Sequence, residues 1–293
     1  MRSGFVAVVG KPNAGKSTLI NALTGKKVSI VSEKPQTTRF KIRGIVNHPE
    51  GQIVFVDTPG FHKPKDALGE FLNSQVAGTI KEVDLILFLV DGSRELNEED
   101  RLLIEEIKKS QLPCLLVITK KDLASTETLS ALEQEVKKVL PVEGVINVSA
   151  ITGEGLDLLL EKIFPFLPEG PALYPEEMVT DYPLSIQAAE IIREKVLMNL
   201  HQEVPHSVAV SVTHLEEKPE KNLIAIYAEI YVEKDSQKKI VIGREGSMIK
   251  KIGTLAREEL EYLTGKKIFL ELYVKVKEKW REKEAFVKKL YLS

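Results

Sequence analysis

The sequence has 293 residues and a mass of 32.8 kDa, a length that predicts about two domains. Its composition, 43% hydrophobic and 29% charged, is globular, which excludes a disordered or collagenous chain. The single cysteine, Cys114, excludes a disulfide framework within the chain, and no apolar run approaches the roughly 20 residues of a membrane span. Because Met1–Lys11 carries no signal peptide pattern, we expect a soluble, cytoplasmic protein.

The net charge of −2 is unevenly distributed along the chain. Residues 238–293 hold 15 Lys or Arg against 8 Asp or Glu, a net charge of +7, whereas residues 1–237 have a net charge of −9. This asymmetry indicates that the C-terminal end binds a polyanion, although a solvated basic helix face would give the same count.

Strand-like and helix-like segments alternate in the first half of the chain. Short apolar runs bounded by turn residues predict strands buried on both faces, namely Phe5–Val9, Ile53–Asp57, Leu85–Asp91, Pro113–Thr119 and Val145–Ser149. Amphipathic stretches predict the helices Ser17–Leu23, Glu98–Lys109, Leu129–Leu140 and Gly155–Phe166. Phe40–His48 alternates more openly, as an edge strand does. The pattern predicts an α/β domain with a mostly parallel sheet between helices.

A segment rich in Pro and Gly, residues 164–175, interrupts this pattern and indicates a linker. We place the first domain at residues 1–170, the linker at 171–181 and the second domain at 182–293. The second domain is predicted to be a small α+β unit with the order helix, strand, strand, helix, strand, helix. The corresponding segments are Leu184–His201, Val208–His214, Ile224–Val232, Ser247–Leu263, Ile268–Val276 and Trp280–Leu290.

A phosphate-binding loop is predicted between the first strand and the first helix. The residues Gly10, Lys11, Pro12, Asn13, Ala14, Gly15, Lys16 and Ser17 match the spacing G-x-x-x-x-G-K-[ST], and Thr18 follows them. Its glycines let backbone N–H groups surround phosphate oxygens, and the helix presents its positive dipole end to the same anion. We expect Lys16 to reach the β- and γ-phosphates and the Ser17 hydroxyl to ligate Mg²⁺.

Two further segments, each directly after a strand, predict which nucleotide base is bound. Thr119, Lys120, Lys121 and Asp122 form the first, and Ser149 with Ala150 forms the second. The Asp122 carboxylate can accept hydrogen bonds from guanine N1–H and N2–H₂, which adenine lacks, and the Lys120 stem can lie along the base. The backbone of Ser149 and Ala150 can donate to guanine O6. Each segment alone also fits a surface turn, but their order after a phosphate loop favours GTP.

A metal ligand and a switch are predicted near the next strand end. That strand ends with the residues Asp57, Thr58, Pro59, Gly60 and Phe61. Asp57 is placed to hold Mg²⁺ through water. The Gly60 N–H is placed to contact a γ-phosphate. A Thr38 hydroxyl that joins the metal shell only with triphosphate would make its loop a switch. A capped turn is the alternative for Thr37-Thr38.

In the second domain, residues 242–252 fit the pattern I-G-x-x-G-x-x-I-x-x-I. This run resembles the KH module, whose GXXG loop clamps about four nucleotides of single-stranded RNA. Glu245 departs from the more usual Gly or basic residue, which is expected to lower RNA affinity. The predicted RNA-binding residues are Ile242, Gly243, Arg244, Glu245, Gly246, Ser247, Lys250 and Lys251.

Taken together, the nucleotide motifs, the segment Pro35-Gln36-Thr37-Thr38-Arg39 and the KH-like run resemble the Era family of bacterial ribosome-assembly GTPases over nearly the whole chain. The resemblance implies a Ras-like P-loop GTPase domain followed by a type II KH domain. It also implies GTP, GDP and Mg²⁺ as ligands, slow hydrolysis of GTP to GDP and phosphate, and binding to the 3′ end of small-subunit ribosomal RNA during maturation of that subunit. Ala14 replaces the family's usual Val, and Thr119 replaces Asn, which is expected to weaken one hydrogen bond between loops.

No glutamine follows Gly60, and Phe61 cannot orient a water by hydrogen bonding, so the catalytic group must come from elsewhere. The resemblance implies that Asn13 helps to hold an activating K⁺ against the phosphates, with Lys16, Thr38 and Gly60 as the other catalytic residues. An Asn13 that only shapes the loop is the alternative.

Two other function classes stay open. One is a P-loop ATPase or kinase with an unrelated appendage, against which Asp122 argues. The other is a membrane-surface GTPase, peripheral on the inner face of the cell membrane, whose basic helix Lys279–Lys289 contacts lipid or protein rather than RNA. Packing through Trp280, Phe286 and Leu290 is the plainer role of that helix. We expect a monomer, because no coiled coil or long apolar edge is visible.

Overall fold

The computed structural model describes residues 1–32, 34, 37–200, 204 and 207–292. These residues divide into two compact units, one of residues 1–65 and 69–181 and one of residues 66–68 and 182–293. Pro35 and Gln36 of the predicted switch segment, and His201 at the end of a predicted helix, lie outside the described residues.

A six-stranded sheet forms the centre of the first unit. Its strands are β1 (Arg2–Val9), β2 (Ile42–His48), β3 (Gly51–Asp57), β4 (Leu85–Asp91), β5 (Cys114–Thr119) and β6 (Gly144–Asn147). They lie in the order β2-β3-β1-β4-β5-β6, with β2 antiparallel at one edge and the other neighbours parallel. The mostly parallel sheet and the position of β2 as an edge strand are confirmed, but β2 is mostly buried rather than exposed.

The α-helices described up to residue 181 are α1 (Lys16–Thr24), α2 (Ala67–Ile80), α3 (Glu98–Ser110), α4 (Thr126–Val139) and α5 (Leu156–Ile163); the first two residues of α2 belong to the second unit. The patterning did not predict α2. Its sequence contains Gly69, Ser74 and Gly78, which weaken helix propensity, so the helix depends on burial of Leu72 and Val76 rather than on local preference.

Two apolar clusters cover the two faces of the large sheet, which explains why its strands are continuous apolar runs. Along β1, Val8 belongs to one cluster and Val9 to the other, because successive side chains in a strand point to opposite faces. The strands are thus buried on both sides. Polar groups at the carboxyl ends of the parallel strands are gathered along one edge of the sheet, where ligands bind in open α/β folds.

Residues that the sequence predicted as a linker lie along the edge strand β2. The backbone N–H of Ile45 donates to the carbonyl of Val179 over 2.9 Å, and Asn47 Nδ2 donates to the carbonyl of Glu176 over 2.7 Å. The fully buried Gln52 holds both the N–H and the carbonyl of Tyr174. This segment consequently pairs with part of an edge that would otherwise be open.

A three-stranded sheet forms the second unit, with β7 (Ala209–Lys218) antiparallel to β8 (Leu223–Val232) and β8 parallel to β9 (Lys267–Val276). Its helices are α6 (Leu184–Asn199), α7 (Asp235–Ile242), α8 (Ser247–Thr264) and α9 (Glu284–Tyr291). Helix α7 is an addition to the predicted order. It has eight residues and buries only Val241, so its sequence carries little helical periodicity.

The predicted helix over Trp280–Leu290 is interrupted. A 3₁₀ turn at Trp280–Glu282 precedes α9, because Lys283 between them has extended φ and ψ of −97° and 92°. The fully buried Trp280 donates its indole N–H to the carbonyl of Ser207 over 2.7 Å, and Phe286 meets Tyr231 edge-on at 5.1 Å. This segment therefore packs on its own unit. Within the described parts of the chain, no helix is both long and apolar enough to cross a membrane.

Candidate functional site

The loop between β1 and α1 has the backbone shape of an anion cradle. Asn13 and Gly15 adopt positive φ values of 64° and 88°, and α1 begins directly at Lys16. The Lys16 ammonium is buried and donates to the carbonyls of Gly10 and Lys11 over 3.0 and 2.9 Å. Burial lowers the pKa of Lys16 to about 8, although the nearby Asp57 carboxylate acts in the opposite direction.

A buried ion pair anchors this loop from the side. Lys11 Nζ lies 2.8 Å from Asp100 Oδ2, and both side chains are almost fully shielded from solvent. Asp100 also closes the capping box of α3 by accepting from the Asn97 N–H over 3.0 Å. The sequence prediction missed Asp100; the Asn97–Asp100 cap is visible in the sequence, but its pairing with Lys11 depends on the fold.

Three oxygen-bearing side chains converge beside the loop. The Ser17 hydroxyl lies 2.9 Å from the Thr38 hydroxyl and donates to Asp57 Oδ2 over 2.8 Å. Asp57 is fully buried and Thr38 nearly so. Ser17, Thr38 and Asp57 come from α1, the loop before β2 and the end of β3, so only the fold brings them together.

The segment after β3 is in close contact with the phosphate loop. The Phe61 N–H donates to the carbonyl of Gly10 over 3.1 Å, and the Thr58 hydroxyl donates to the carbonyl of Val8 over 2.8 Å. A Cβ on Gly60 would lie 2.8 Å from the backbone N and Cα of Pro12. Glycine is required here by space rather than by backbone angle.

The two predicted base-binding segments are adjacent. The Lys121 N–H donates to the carbonyl of Val148 over 3.1 Å, which joins the loop after β5 to the loop after β6. Ser149 is fully buried, Ala150 is partly buried and the Asp122 side chain is exposed. A carboxylate and backbone groups are thereby brought to one place from two strand ends.

Lys120 is held by an acid that the sequence prediction did not include. Its ammonium lies 2.6 Å from Asp91 Oδ2 at the end of β4. Burial alone would raise the pKa of Asp91, but hydrogen bonds from Lys120 and Ser93 hold it below its usual value. Lys120 itself has a left-handed backbone with a φ of 55°.

With threonine instead of asparagine at position 119, the loop after β5 still contacts the phosphate loop. Its hydroxyl donates to the carbonyl of Ala14 over 2.8 Å, with the carbonyl of Val90 at 3.2 Å. The Thr119 hydroxyl therefore reaches the phosphate loop from this strand end, and a bond weaker than that of asparagine stays a prediction.

A cleft of about 540 Å³ is lined by part of the phosphate loop together with Thr38, Gly60 and Lys120. Its walls include four residues that the motifs did not predict, Ile30, Val31, Ser32 and Arg94, for which the sequence carries no recognisable signal. The other residues that line it are Pro12, Asn13, Gly15, Lys16, Ser17, Thr18, Thr37, Thr38, Gly60 and Lys120. The other predicted nucleotide-binding residues lie outside this lining, namely Gly10, Lys11, Ala14, Asp57, Thr58, Pro59, Phe61, Thr119, Lys121, Asp122, Ser149 and Ala150.

In the second unit, the GXXG segment forms a tight turn between α7 and α8. Gly243 and Gly246 have φ values of 75° and 79°, and the Gly246 N–H donates to the carbonyl of Gly243 over 3.2 Å. A Cβ on Gly243 would lie 2.6 Å from Met248 Cβ, whereas one on Gly246 would meet nothing. Glu245 also has a positive φ, 53°, which is unusual for a residue with a side chain.

Three exposed cations lie in this turn and on the helix that follows it. In the described part of the chain, Arg244, Lys250 and Lys251 have no ion-pair partner within 4.0 Å. Ile252 on the same helix is fully buried and Ile249 is partly buried against the core, so α8 is fixed while its charged side faces solvent. The segment therefore presents three positive charges on a turn and a helix whose positions are fixed by the core.

The phosphate loop, the base-binding segments and the GXXG turn define a P-loop GTPase joined to a KH domain. The family model "50S ribosome-binding GTPase" matches residues 5–120 and the KH domain model matches residues 203–281. The chain is 48% identical over 289 residues to GTPase Era of Ruminiclostridium cellulolyticum, covering 99% of this chain and 97% of the relative. It is 51% identical over 290 residues to GTPase Era of Thermotoga maritima, covering 98% and 96%. The chain belongs to the Era family of GTPases.

Two solved structures are similar along their whole length. An Aquifex aeolicus Era variant bound to GDP and AlF₄⁻ superposes with a TM-score of 0.94 at 40% identity, covering 99% of both chains. An Era in complex with MgGDPNP and nucleotides 1506–1542 of 16S ribosomal RNA has the same TM-score and identity, covering 99% of this chain and 98% of that one. The predicted Ras-like domain followed by a KH domain is confirmed.

Proposed function

We propose that this GTPase is a nucleotide-controlled switch that binds the 3′ end of small-subunit ribosomal RNA and assists maturation of that subunit. The observation that carries the nucleotide half is the convergence of the phosphate loop, Thr38, Gly60 and Lys120 on one cleft. The RNA half is supported by the unpaired cations beside the GXXG turn and by the RNA-bound relative.

The oxygen donors beside the phosphate loop suit Mg²⁺. This ion prefers oxygen ligands and keeps several waters, so the Asp57 carboxylate with the Ser17 and Thr38 hydroxyls is an appropriate set. Bound there, it would offset the negative charge of the phosphates. Lys16 and the N–H groups of residues 13–18 would bind the phosphates, and Gly60 would sense the γ-phosphate through its N–H.

Resemblance to the family assigns the side chain of Asn13 to hold K⁺ near the phosphates, and Phe61 has no group that orients a water. GTP hydrolysis measured in KCl and in NaCl tests this assignment. We expect faster turnover in KCl that is lost in Asn13→Ala; equal rates in both salts, or K⁺ stimulation retained in the variant, would contradict it.

Guanine selection is assigned to Asp122, and a change of base preference tests it. In Asp122→Asn, the amide can still accept from N1–H but now donates where guanine also donates, so GDP binding should fall at least about 100-fold. Xanthosine diphosphate has a carbonyl at that position and should bind better than GDP. Asp157→Asn, which neutralises another exposed acid of the same unit, is the matched control. Tight ATP binding by the unaltered protein would overturn the assignment.

RNA binding is assigned to the GXXG turn and α8. Fluorescence anisotropy with a labelled RNA of the 16S 3′ end tests it, using the double variant Lys250→Glu, Lys251→Glu and the control Lys283→Glu. Lys283 is exposed in the basic C-terminal segment, so the control introduces the same kind of charge reversal in the same unit. We expect loss of binding in the double variant only. Equal losses in both would indicate a diffuse electrostatic surface.

Peripheral membrane contact and a monomeric state remain predictions. Sedimentation with acidic phospholipid vesicles tests membrane contact, because a GTPase whose main ligand is lipid would bind the vesicles more tightly than the RNA. The second is tested by light scattering of the purified chain with GDP bound.

A further inference from the structure

A second serine hydroxyl holds the carboxylate of Asp57. Ser29 lies in the loop after α1, is 1% exposed, and donates from Oγ to Asp57 Oδ2 over 2.6 Å. The same carboxylate oxygen accepts from Ser17 over 2.8 Å. Ser29 belongs to none of the sequence motifs and does not line the cleft. Among the described residues, its hydroxyl hydrogen-bonds to Asp57.

The amide of Asn21 fixes the backbone of Ser29. Asn21 Oδ1 accepts from the N–H groups of Val28 and Ser29, each over 2.9 Å, and its Nδ2 donates to the Ser29 carbonyl over 2.8 Å. One amide from α1 thus makes three hydrogen bonds to two consecutive residues. The Ser29 hydroxyl is therefore held in place by the helix that also carries Lys16 and Ser17.

We propose that Ser29, held by Asn21, is a positioning residue that orients Asp57 toward the Mg²⁺ of a bound guanine nucleotide. The inference rests on the proposed function. Groups that hydrogen-bond a metal-binding carboxylate from behind fix its orientation, and their loss typically weakens metal affinity by about 10- to 100-fold. A hydrogen bond to a buried carboxylate is also stronger than one between neutral groups.

The expected effect of Ser29 on Mg²⁺ binding differs from that of Thr38 in its dependence on the bound nucleotide. Ser29 and Asn21 precede the switch segment, and their hydrogen bonds to Asp57 and to each other do not include Thr38. Ser29 should consequently support Mg²⁺ binding equally with GDP and with a GTP analogue. Thr38→Ala should weaken Mg²⁺ binding only with the triphosphate.

The experiment titrates Mg²⁺ against release of a fluorescent GDP or GTP analogue from the full chain. Ser29→Ala should raise the Mg²⁺ concentration that gives half-maximal retention by about 10-fold for both nucleotides. Nucleotide affinity in excess EDTA should stay unchanged. Asn21→Ala should shift the Mg²⁺ dependence in the same direction, and in an Asp57→Ala background Ser29→Ala should add nothing, because it acts through that carboxylate.

The matched control is Ser3→Ala. Ser3 is a buried serine of β1, 4% exposed, and its hydroxyl has no hydrogen-bond partner among the described residues. Ser3→Ala should leave the Mg²⁺ dependence of nucleotide retention unchanged. The inference would be overturned if Ser29→Ala had the same Mg²⁺ dependence as the unaltered protein. It would also be overturned if Ser29→Ala lost nucleotide affinity equally in excess EDTA. If the unaltered protein itself showed no Mg²⁺-dependent guanine binding, the proposed function would fail first.

Discussion

The hydroxyl of Thr119 donates a 2.8 Å hydrogen bond to the main-chain carbonyl of Ala14. This contact joins the end of β5, where guanine selection is assigned, to the phosphate loop. Because Thr119 is 4% exposed, the bond is shielded from water. The two segments proposed to bind the nucleotide are therefore joined by a side chain that differs from the family's usual asparagine.

Thr119→Val should weaken GDP binding by about 3- to 10-fold, since it keeps the shape of the side chain and loses one buried hydrogen bond worth about 1 kcal/mol. Thr119→Asn should bind GDP at least as tightly as the unaltered protein. Isothermal calorimetry measures both. A Thr119→Val protein with unchanged affinity would show that the loops hold their positions without this bond.

Nucleotide affinity should fall as the pH rises through about 8. Burial lowers the pKa of Lys16 to about 8, and phosphate binding requires the charged ammonium. Below pH 8 this group is protonated and the GDP dissociation constant should be flat. Above it, affinity should weaken toward about tenfold per pH unit, the equivalent of 1.36 kcal/mol.

The control for this pH dependence is Lys16→Arg, whose guanidinium stays charged over the whole range. Its affinity should be lower overall but should vary less with pH between 7 and 9. An equal slope in both proteins would assign the pH dependence to guanine or to another group of the site.

Gly60→Ala should impair the response to the γ-phosphate. The added Cβ would lie 2.8 Å from backbone atoms of Pro12, which cannot move aside, so the segment must retreat from the phosphate loop. We expect GTP hydrolysis to fall by at least about 10-fold, with GDP affinity nearly unchanged. Gly170→Ala is the control, because a Cβ there meets nothing within 4 Å. Equal hydrolysis rates in the two variants would exclude close packing at Gly60 as a requirement.

Glu245→Lys should tighten RNA binding. Glu245 is exposed within the GXXG turn, where its charge repels phosphate, and the substitution adds a cation beside Arg244. One more phosphate contact should steepen the dependence of log affinity on log salt by about 0.7 for a single strand. Anisotropy titrations over a range of KCl concentrations measure this slope. Glu258→Lys, an exposed position further along α8, should change it little.

Local sequence determined the chemistry of this protein. The phosphate loop, each base-binding segment and the GXXG turn are each a continuous stretch of sequence. Their shape depends on residues such as Gly15 and Gly243, whose positive φ values are favoured by the residue type itself. The strands of the large sheet could also be predicted from the sequence, because burial on both faces requires long apolar runs. Helices α2 and α7 were not predicted, because α2 depends on burial of Leu72 and Val76 and α7 buries only Val241, so neither carries a strong apolar pattern.

Tertiary structure alone decided which groups meet. The contact of Ser29 with Asp57 and that of Lys11 with Asp100 join segments far apart in the chain, and their distances depend on the order of strands in the sheet and on the packing of α1 and α3. Periodicity and turn signals extend over a few residues, so they specify what each strand end carries. They do not specify which strand end becomes its neighbour.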